Sequence, residues 1–260
     1  MKFKYKIIKQ IENFIKDANL TEINIGCSNS QIIRIEKSNK IYFLKIADEG
    51  VLTSEYEKLK WLKGKIKVPE AILYKKEAGV EYLITEALLG EMLCSDYYLE
   101  NPNEGIPIIV DAFKQIYKVD IKDCPFKVDL DYKLKLIKYN IDNGLINKNN
   151  ISSATLKKFG SLDNIYKYLL ENKKLAEDEL YFSYGDTSLP NIFASDNKFL
   201  GFIDVGECGI AEKWFDIAIV IKSIIRNYGE HFTKEFYKKI GIEENKDKID
   251  YYLLMMELYL

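Results

Sequence analysis

Apolar residues recur at helical spacing from the start of the chain, where Ile7, Ile8, Ile11, Phe14 and Ile15 predict an amphipathic helix over Tyr5–Asp17. The pattern then shortens to strand length. Ile23–Glu36 reads as two strand-like pieces around Gly26, Ser28 and Ser30, and Ile41–Ala47 (IYFLKIA) as an apolar strand entered through the turn Ser38-Asn39-Lys40. Leu52–Lys65 returns to helical period, with Leu59 and Leu62 inward. Ala71–Lys76 and Glu81–Glu86 predict a hairpin about Ala78-Gly79, and Ala87–Gly90 leaves it as a hinge. These elements predict a small α+β lobe.

Beyond Gly90 the pattern is helical. Ile106–Val119 carries Ile109, Ala112, Phe113, Ile116 and Tyr117 on one side, and Tyr132–Tyr139 and Leu162–Leu170 repeat the period. Asn140–Gly160, rich in Asn, Ser and Lys, reads as an excursion or a loosely helical segment. Ala211–Asn227, Phe232–Ile240 and Ile249–Leu258 predict a helical C-terminal part. One stretch interrupts it: Asn191–Ala194 and Lys198–Asp204 are strand-like and joined by Ser195, Asp196 and Asn197, which suit a turn.

Composition narrows the function. A chain of 260 residues with 47% hydrophobic and 30% charged residues can bury a sizeable core as one large or two modest domains. Its net charge of -2 leaves no electrostatic footprint for nucleic acid. No apolar run reaches the roughly 18 residues needed to span a bilayer, and the charged amphipathic start is unlike a signal peptide, so a cytoplasmic protein is expected. Cys27, Cys94, Cys124 and Cys208 are scattered without a CxxC pair and His231 is the lone histidine, so neither zinc nor a disulfide framework is expected.

The candidate chemistry lies between Tyr181 and Asp216. Asp186 and Asn191 sit in a loop broken by Gly185 and Pro190, and the hairpin that follows can bring Asp204 beside Asn191. An Asp and an Asn offer hard oxygen ligands for magnesium, while Asp186 can accept a proton from an attacking hydroxyl. Phosphoryl transfer needs such a set. Lys45 adds to it: a lysine on a strand, with Glu55 or Glu57 on the next helix to pair with it, is the phosphate-orienting device of kinases. The small residues Gly26, Ser28 and Ser30 suit either a phosphate-cradling turn or a plain hairpin.

In this order, Lys45, the helix EYEKLKWLKGKIKVPE, the hinge at Ala87, KVDIKDCPF, GDxxxxN, IDxG, AEKWFDIAIVIKSI and the terminus YYLLMMELYL resemble the aminoglycoside phosphotransferase family, most closely its 3'-phosphotransferases, over nearly the whole chain. The resemblance implies a two-lobed protein-kinase-like fold, with a nucleotide-binding lobe over residues 1–88 and a helical lobe carrying the catalytic loop and substrate site over residues 89–260. It also implies ATP or GTP as phosphoryl donor, Mg2+, and an aminoglycoside as small-molecule substrate, with antibiotic resistance as the outcome. Residue by residue, it makes Asp186 catalytic and Asn191 and Asp204 metal ligands. It makes Lys45 the lysine on the α and β phosphates, Glu55 its partner, Ser28 part of the phosphate-covering loop, Phe43 the ring stacked on adenine and Ala87 the hinge backbone reading the base edge. Glu257 and the terminal carboxylate of Leu260 are expected to meet substrate ammonium groups.

The chain also departs from the family pattern. Tyr184 and Tyr117 stand where histidines are usual, and Glu207 stands for an arginine. Met256 and Arg226 replace acidic residues, and Asn150–Lys158 lacks the acidic substrate loop. Polycation binding needs carboxylates. A thinner acidic surface keeps a kinase for another sugar or alcohol as the alternative, and a non-catalytic nucleotide-binding relic as a third reading.

Overall fold

The strand-forming alternation of the first third condenses into one antiparallel sheet in the computed structural model, which describes residues 3–23 and 30–259. Its elements are α1 (Lys9–Ile15), β1 (Asn19–Ile23), β2 (Gln31–Lys37), β3 (Lys40–Asp48), α2 (Thr53–Leu62), β4 (Ala71–Glu77) and β5 (Val80–Glu86). The strand order is β1-β2-β3-β5-β4, and every neighbouring pair is antiparallel. Ile33, Ile35, Leu44, Ile46, Tyr82 and Ile84 point to one face and bury Ile8 and Ile11 from the α1 region. With side chains alternating across the pleat, Phe43 and Lys45 therefore share the opposite face. The tight turns fall where expected, at Ser38 (φ 50) and Asn39 (φ 61), and at Ala78 (φ 52) and Gly79 (φ 77).

Both helix expectations of this part change in extent. The first helix is shorter than Tyr5–Asp17 because the chain is extended at Ile8, which precedes α1 and packs into the core beside it. The second helix stops at Leu62, one residue ahead of Lys63, which is no longer helical. Leu59 and Leu62 are buried, as their spacing predicts.

The start of α2 is held by a residue far away in sequence. Leu52, which precedes α2, offers no capping side chain, and the fully buried Glu81 of β5 supplies one. Its carboxylate accepts from the backbone N–H groups of Leu52 and Thr53, from the Thr53 and Tyr74 hydroxyls, and pairs with Lys76. Burial opposes its charge, but these donors outweigh that and hold the carboxyl down at about 2. Replacing Glu81 by Gln is expected to cost about 3 kcal/mol near neutral pH, in proportion to the shift. The folded carboxyl titrates below its unfolded value of 4.5, so the stabilisation is complete above that value and lost as the pH falls through about 2. Urea unfolding at a series of pH values checks this: the gap between wild type and Glu81→Gln should begin to narrow below pH 4.5 and close towards about 2.

The sheet unit comprises Met1–Glu91 together with Leu200–Gly206; Met92–Phe199 and Glu207–Leu260 form the second, mainly helical unit. In chain order come β6 (Glu91–Met92), α3 (Asp96–Glu100), α4 (Pro102–Tyr117), α5 (Leu130–Asp142), α6 (Ser153–Phe159), α7 (Leu162–Glu171) and α8 (Lys173–Ala176). After them come β7 (Leu180–Ser183), β8 (Ile192–Ser195), β9 (Lys198–Phe202), β10 (Gly209–Glu212), α9 (Lys213–Asn227), α10 (His231–Ile240) and α11 (Lys246–Tyr259). Local chemistry sets the helix ends. Proline opens α4, and the side chains of Asp129, Ser152 and Ser161 cap α5, α6 and α7. Gly160 closes α6 at φ 77. The expected loose segment Asn140–Gly160 thus contains the end of α5, a short 3-10 turn and α6.

Helix α9 forms the middle of this unit, burying Trp214, Phe215, Ile217, Ala218, Val220, Ile221 and Ile224. The helix expected over Ala211–Asn227 begins only at Lys213, because Gly209–Glu212 pairs antiparallel with β7 as β10. The strand expected over Lys198–Asp204 ends at Phe202, and Asp204 lies beyond it at φ 66. Among the described residues, no helix is long and apolar enough to cross a membrane.

Candidate active site

The sheet unit presents a lysine between two carboxylates. The Lys45 ammonium donates to both oxygens of Glu55, at 2.8 and 2.9 Å, and to Asp204 Oδ1 at 3.2 Å. Glu55 on α2, and not the exposed Glu57, therefore meets the lysine. Burial works against the ammonium, but Glu55 and Asp204 outweigh it, and the Lys45 pKa is raised. The lysine stays charged at neutral pH. Asp204 keeps a 59% exposed side chain and a left-handed backbone, which Asp tolerates better than most residues other than glycine.

Other predicted residues of this unit divide. Phe43 is half-buried on the Lys45 face. The Ala87 N–H donates to the Ile41 carbonyl at 2.9 Å, so only the Ala87 carbonyl is left to read a base edge. Ser28 lies outside the described residues, as do Gly26 and Cys27.

The helical unit builds a second constellation on the loop after β7. Gly185 has φ 87, and a Cβ there would meet the Glu207 carbonyl oxygen at 2.3 Å, so the position requires glycine. The loop is fastened from below by Asp216 in the first turn of α9. Its carboxylate accepts from Ser183 Oγ (3.1 Å), Tyr184 N–H (2.8 Å) and Gly185 N–H (2.9 Å), while its carbonyl accepts from Thr187 Oγ1 (2.7 Å). Burial lifts the Asp216 carboxyl to about 6 and those donors oppose the rise. It is thus ionised at neutral pH. Lys133, also buried, is lowered to about 8 by burial against the pull of Asp216 and neighbouring carboxylates, so it supplies a compensating cation.

Held in this way, Asp186 is only half-buried, with Oδ1 accepting from the Ser188 N–H at 3.2 Å. Asn191 is 8% exposed and its Nδ2 donates to the Asp186 carbonyl at 3.2 Å, which turns its amide oxygen away from that bond. Ser223 Oγ accepts from the Leu189 N–H at 3.0 Å and fixes the loop's far end. Tyr184, standing at the histidine position, is fully buried and acts through its backbone N–H to Asp216. Tyr117 packs against Tyr181 at 5.6 Å between ring centroids and keeps a buried hydroxyl without a partner.

The substrate expectations fare differently. Both oxygens of Glu257 are engaged at α6, accepting from the Ser152 N–H and the Thr155 hydroxyl, each at 3.0 Å. The side chain thus caps a helix as well as lining an open cavity of about 390 Å³ with Phe159, Tyr168, Asp247 and Asp250. Leu260 lies outside the described residues. Glu207 accepts from the Tyr259 hydroxyl at 2.7 Å, Met256 is buried and Arg226 is exposed. Asp216 is the functional residue that the pattern reading missed. Its signal was a single carboxylate inside the apolar run WFDIAIV, where a charge must find buried donors.

Comparison with known proteins identifies the family. A profile of the phosphotransferase enzyme family matches residues 19–251. An aminoglycoside 3'-phosphotransferase of Campylobacter jejuni is 32% identical over 90% of this chain and 94% of its own. One from Enterococcus faecalis is 29% identical over 98% of this chain and 99% of its own. Among solved structures, the aminoglycoside phosphotransferase APH(3'')-Id of Streptomyces rimosus superposes with a TM-score of 0.82 at 19% identity over 96% of each chain. An aminoglycoside-3'-phosphotransferase of type VIII also reaches 0.82, at 20% identity over 96% of this chain and 97% of its own. The α+β, protein-kinase-like architecture expected from the sequence is the fold of these structures. The extent of the profile match and the identity to full-length relatives place the chain in the phosphotransferase enzyme family, among the aminoglycoside 3'-phosphotransferases.

Proposed function

We propose that this protein is a kinase that transfers the terminal phosphoryl group of ATP, or of GTP, to the 3'-hydroxyl of an aminoglycoside, acting in the cytoplasm and conferring resistance. The observation that carries phosphoryl transfer is the Lys45 ammonium held between Glu55 and Asp204. The substrate class rests on the relatives, which are named aminoglycoside 3'-phosphotransferases.

In this reading residues 1–88 are the nucleotide-binding lobe and residues 89–260 carry the catalytic loop and the substrate site. Lys45 neutralises and orients the nucleotide phosphates, with Glu55 fixing its position. Phe43 stacks on the base, the Ala87 carbonyl reads its edge and Ser28 covers the phosphates. Asp186 orients the substrate hydroxyl and takes its proton. Asn191 and Asp204 are the metal-holding residues, and their chemistry fits magnesium. Both offer hard oxygens, and the Asn191 amide is already oriented by its bond to the Asp186 carbonyl. When bound, the metal supplies charge neutralisation on the phosphates. Glu257 is the acidic side chain proposed to meet a substrate ammonium.

A second reading, a kinase for a different sugar or alcohol, is favoured by one observation: the Glu257 carboxylate is already satisfied by Ser152 and Thr155. A coupled assay of nucleotide turnover with magnesium, over a panel of aminoglycosides and of neutral sugars and alcohols, separates the two. Turnover with kanamycin- or neomycin-type compounds is expected. Turnover confined to neutral hydroxyl compounds would select the second reading.

A further inference from the structure

Helix α2 does more than carry Glu55. Ser54 and Lys58, four residues apart and hence on one helix face, both reach the carbonyl of Gly206. The Ser54 hydroxyl donates at 3.2 Å, and the Lys58 ammonium donates to the same oxygen. Lys58 is 5% exposed, although it occupies a charged position of a helix that has an exposed side. A lysine gives up considerable side-chain freedom on ordering, so its donation to the Gly206 carbonyl calls for a reason.

The target supplies one. Gly206 lies two residues after Asp204, within the 3-10 turn Val205–Glu207 that follows Asp204's left-handed backbone. Lys45 grips the same turn through the Asp204 carboxylate, and Glu55 ties Lys45 to α2. Strand β3, helix α2 and the turn Asp204–Gly206 are therefore joined by two lysines at two points. One holds the acidic side chain and the other the backbone behind it. Without the second grip, the turn could rotate about the Lys45 contact, and the Asp204 carboxylate would lose its fixed direction.

We infer that Lys58, assisted by Ser54, is a positioning residue that fixes the Asp204 turn for metal binding. This rests on the proposed role of Asp204 as a metal ligand. Groups that orient a ligand from outside the coordination shell typically change metal affinity by about 10-fold to 100-fold when removed.

The probe is Mn2+, titrated in the presence of a non-hydrolysable ATP analogue and followed by electron paramagnetic resonance of the free ion, which needs no turnover. Lys58→Met is expected to weaken Mn2+ binding by about 10-fold, while affinity for the nucleotide without metal changes by less than about 2-fold. Lys58→Arg, which keeps a cationic donor, is expected to recover most of the loss. Ser54→Ala, at an exposed position, should weaken Mn2+ by roughly 3-fold, the effect of one ordinary hydrogen bond. It serves as the deciding variant should Lys58→Met fail to fold.

Unchanged Mn2+ affinity in a folded Lys58→Met protein, or in Ser54→Ala where that is the deciding variant, overturns the inference. An equal loss of metal-free nucleotide binding also overturns it, since a merely structural role would lower both. If wild type binds nucleotide but no Mn2+, the assignment of Asp204 falls and this inference falls with it. Normal Mn2+ binding by wild type with no effect in the variants removes only the role of Lys58.

Discussion

Asp186→Asn is expected to lower turnover by about 100-fold to 10,000-fold, the range for removal of a positioned proton acceptor, with nucleotide affinity nearly unchanged. The substitution keeps the size of the side chain and an oxygen to accept from the Ser188 N–H, so the loop geometry survives. What it removes is the basic carboxylate. The groups assigned to the metal, Asn191 and Asp204, are different residues, and the Asn191 amide is oriented by the Asp186 backbone carbonyl, which the substitution leaves in place. Steady-state kinetics beside calorimetric titration of nucleotide tests this. Wild-type turnover in the variant would remove Asp186 from the chemistry, and a parallel loss of nucleotide binding would make it a structural residue.

Asp216→Ala is expected to have the largest effect on stability, about 3–5 kcal/mol, because it strands buried donors. Ser183 and Tyr184 are 1% and 0% exposed, and the Ser183 hydroxyl and the Tyr184 and Gly185 N–H groups all donate to this one carboxylate. Asp216→Asn retains an acceptor oxygen and should lose less. Activity should fall with stability, since the loop that presents Asp186 is fastened through the same bonds. Urea unfolding gives the measure, and a loss under about 1 kcal/mol would mean the donors find other acceptors.

How much of this was legible in the sequence depended on the range of the physics. The pairing of Lys45 with a glutamate on α2 follows from strand alternation and helical period, both local, although only the folded register selects Glu55 over Glu57. Asp186 and Asn191 were readable as a loop because Gly185 and Pro190 break any regular pattern. Asp204 was harder: its alternation continued the strand through Ile203, whereas backbone pairing ended at Phe202 and the residue took a left-handed conformation.

Long-range polar bonds were out of reach. Glu81 looks like an ordinary charged position at a strand edge, and nothing nearby announces that it caps a helix beginning 28 residues earlier, at Thr53. Gly209–Glu212 carries a single β-branched residue, Ile210, and became a strand because β7 offered a partner, so tertiary pairing overrode weak local preference. Glu257 was legible as an acidic side chain near the chain end, but its engagement by Ser152 and Thr155 depends on where α6 packs.

Phosphoryl transfer to an aminoglycoside hydroxyl leaves a product that can be identified. Purified protein is incubated with magnesium, ATP or GTP, and an aminoglycoside, and the antibiotic is recovered for mass and phosphorus NMR. An aminoglycoside carrying one added phosphoryl group at its 3' oxygen is expected, with no product from a 3'-deoxy analogue. Recovery of unmodified aminoglycosides across the panel, from protein that binds nucleotide, would contradict that expectation.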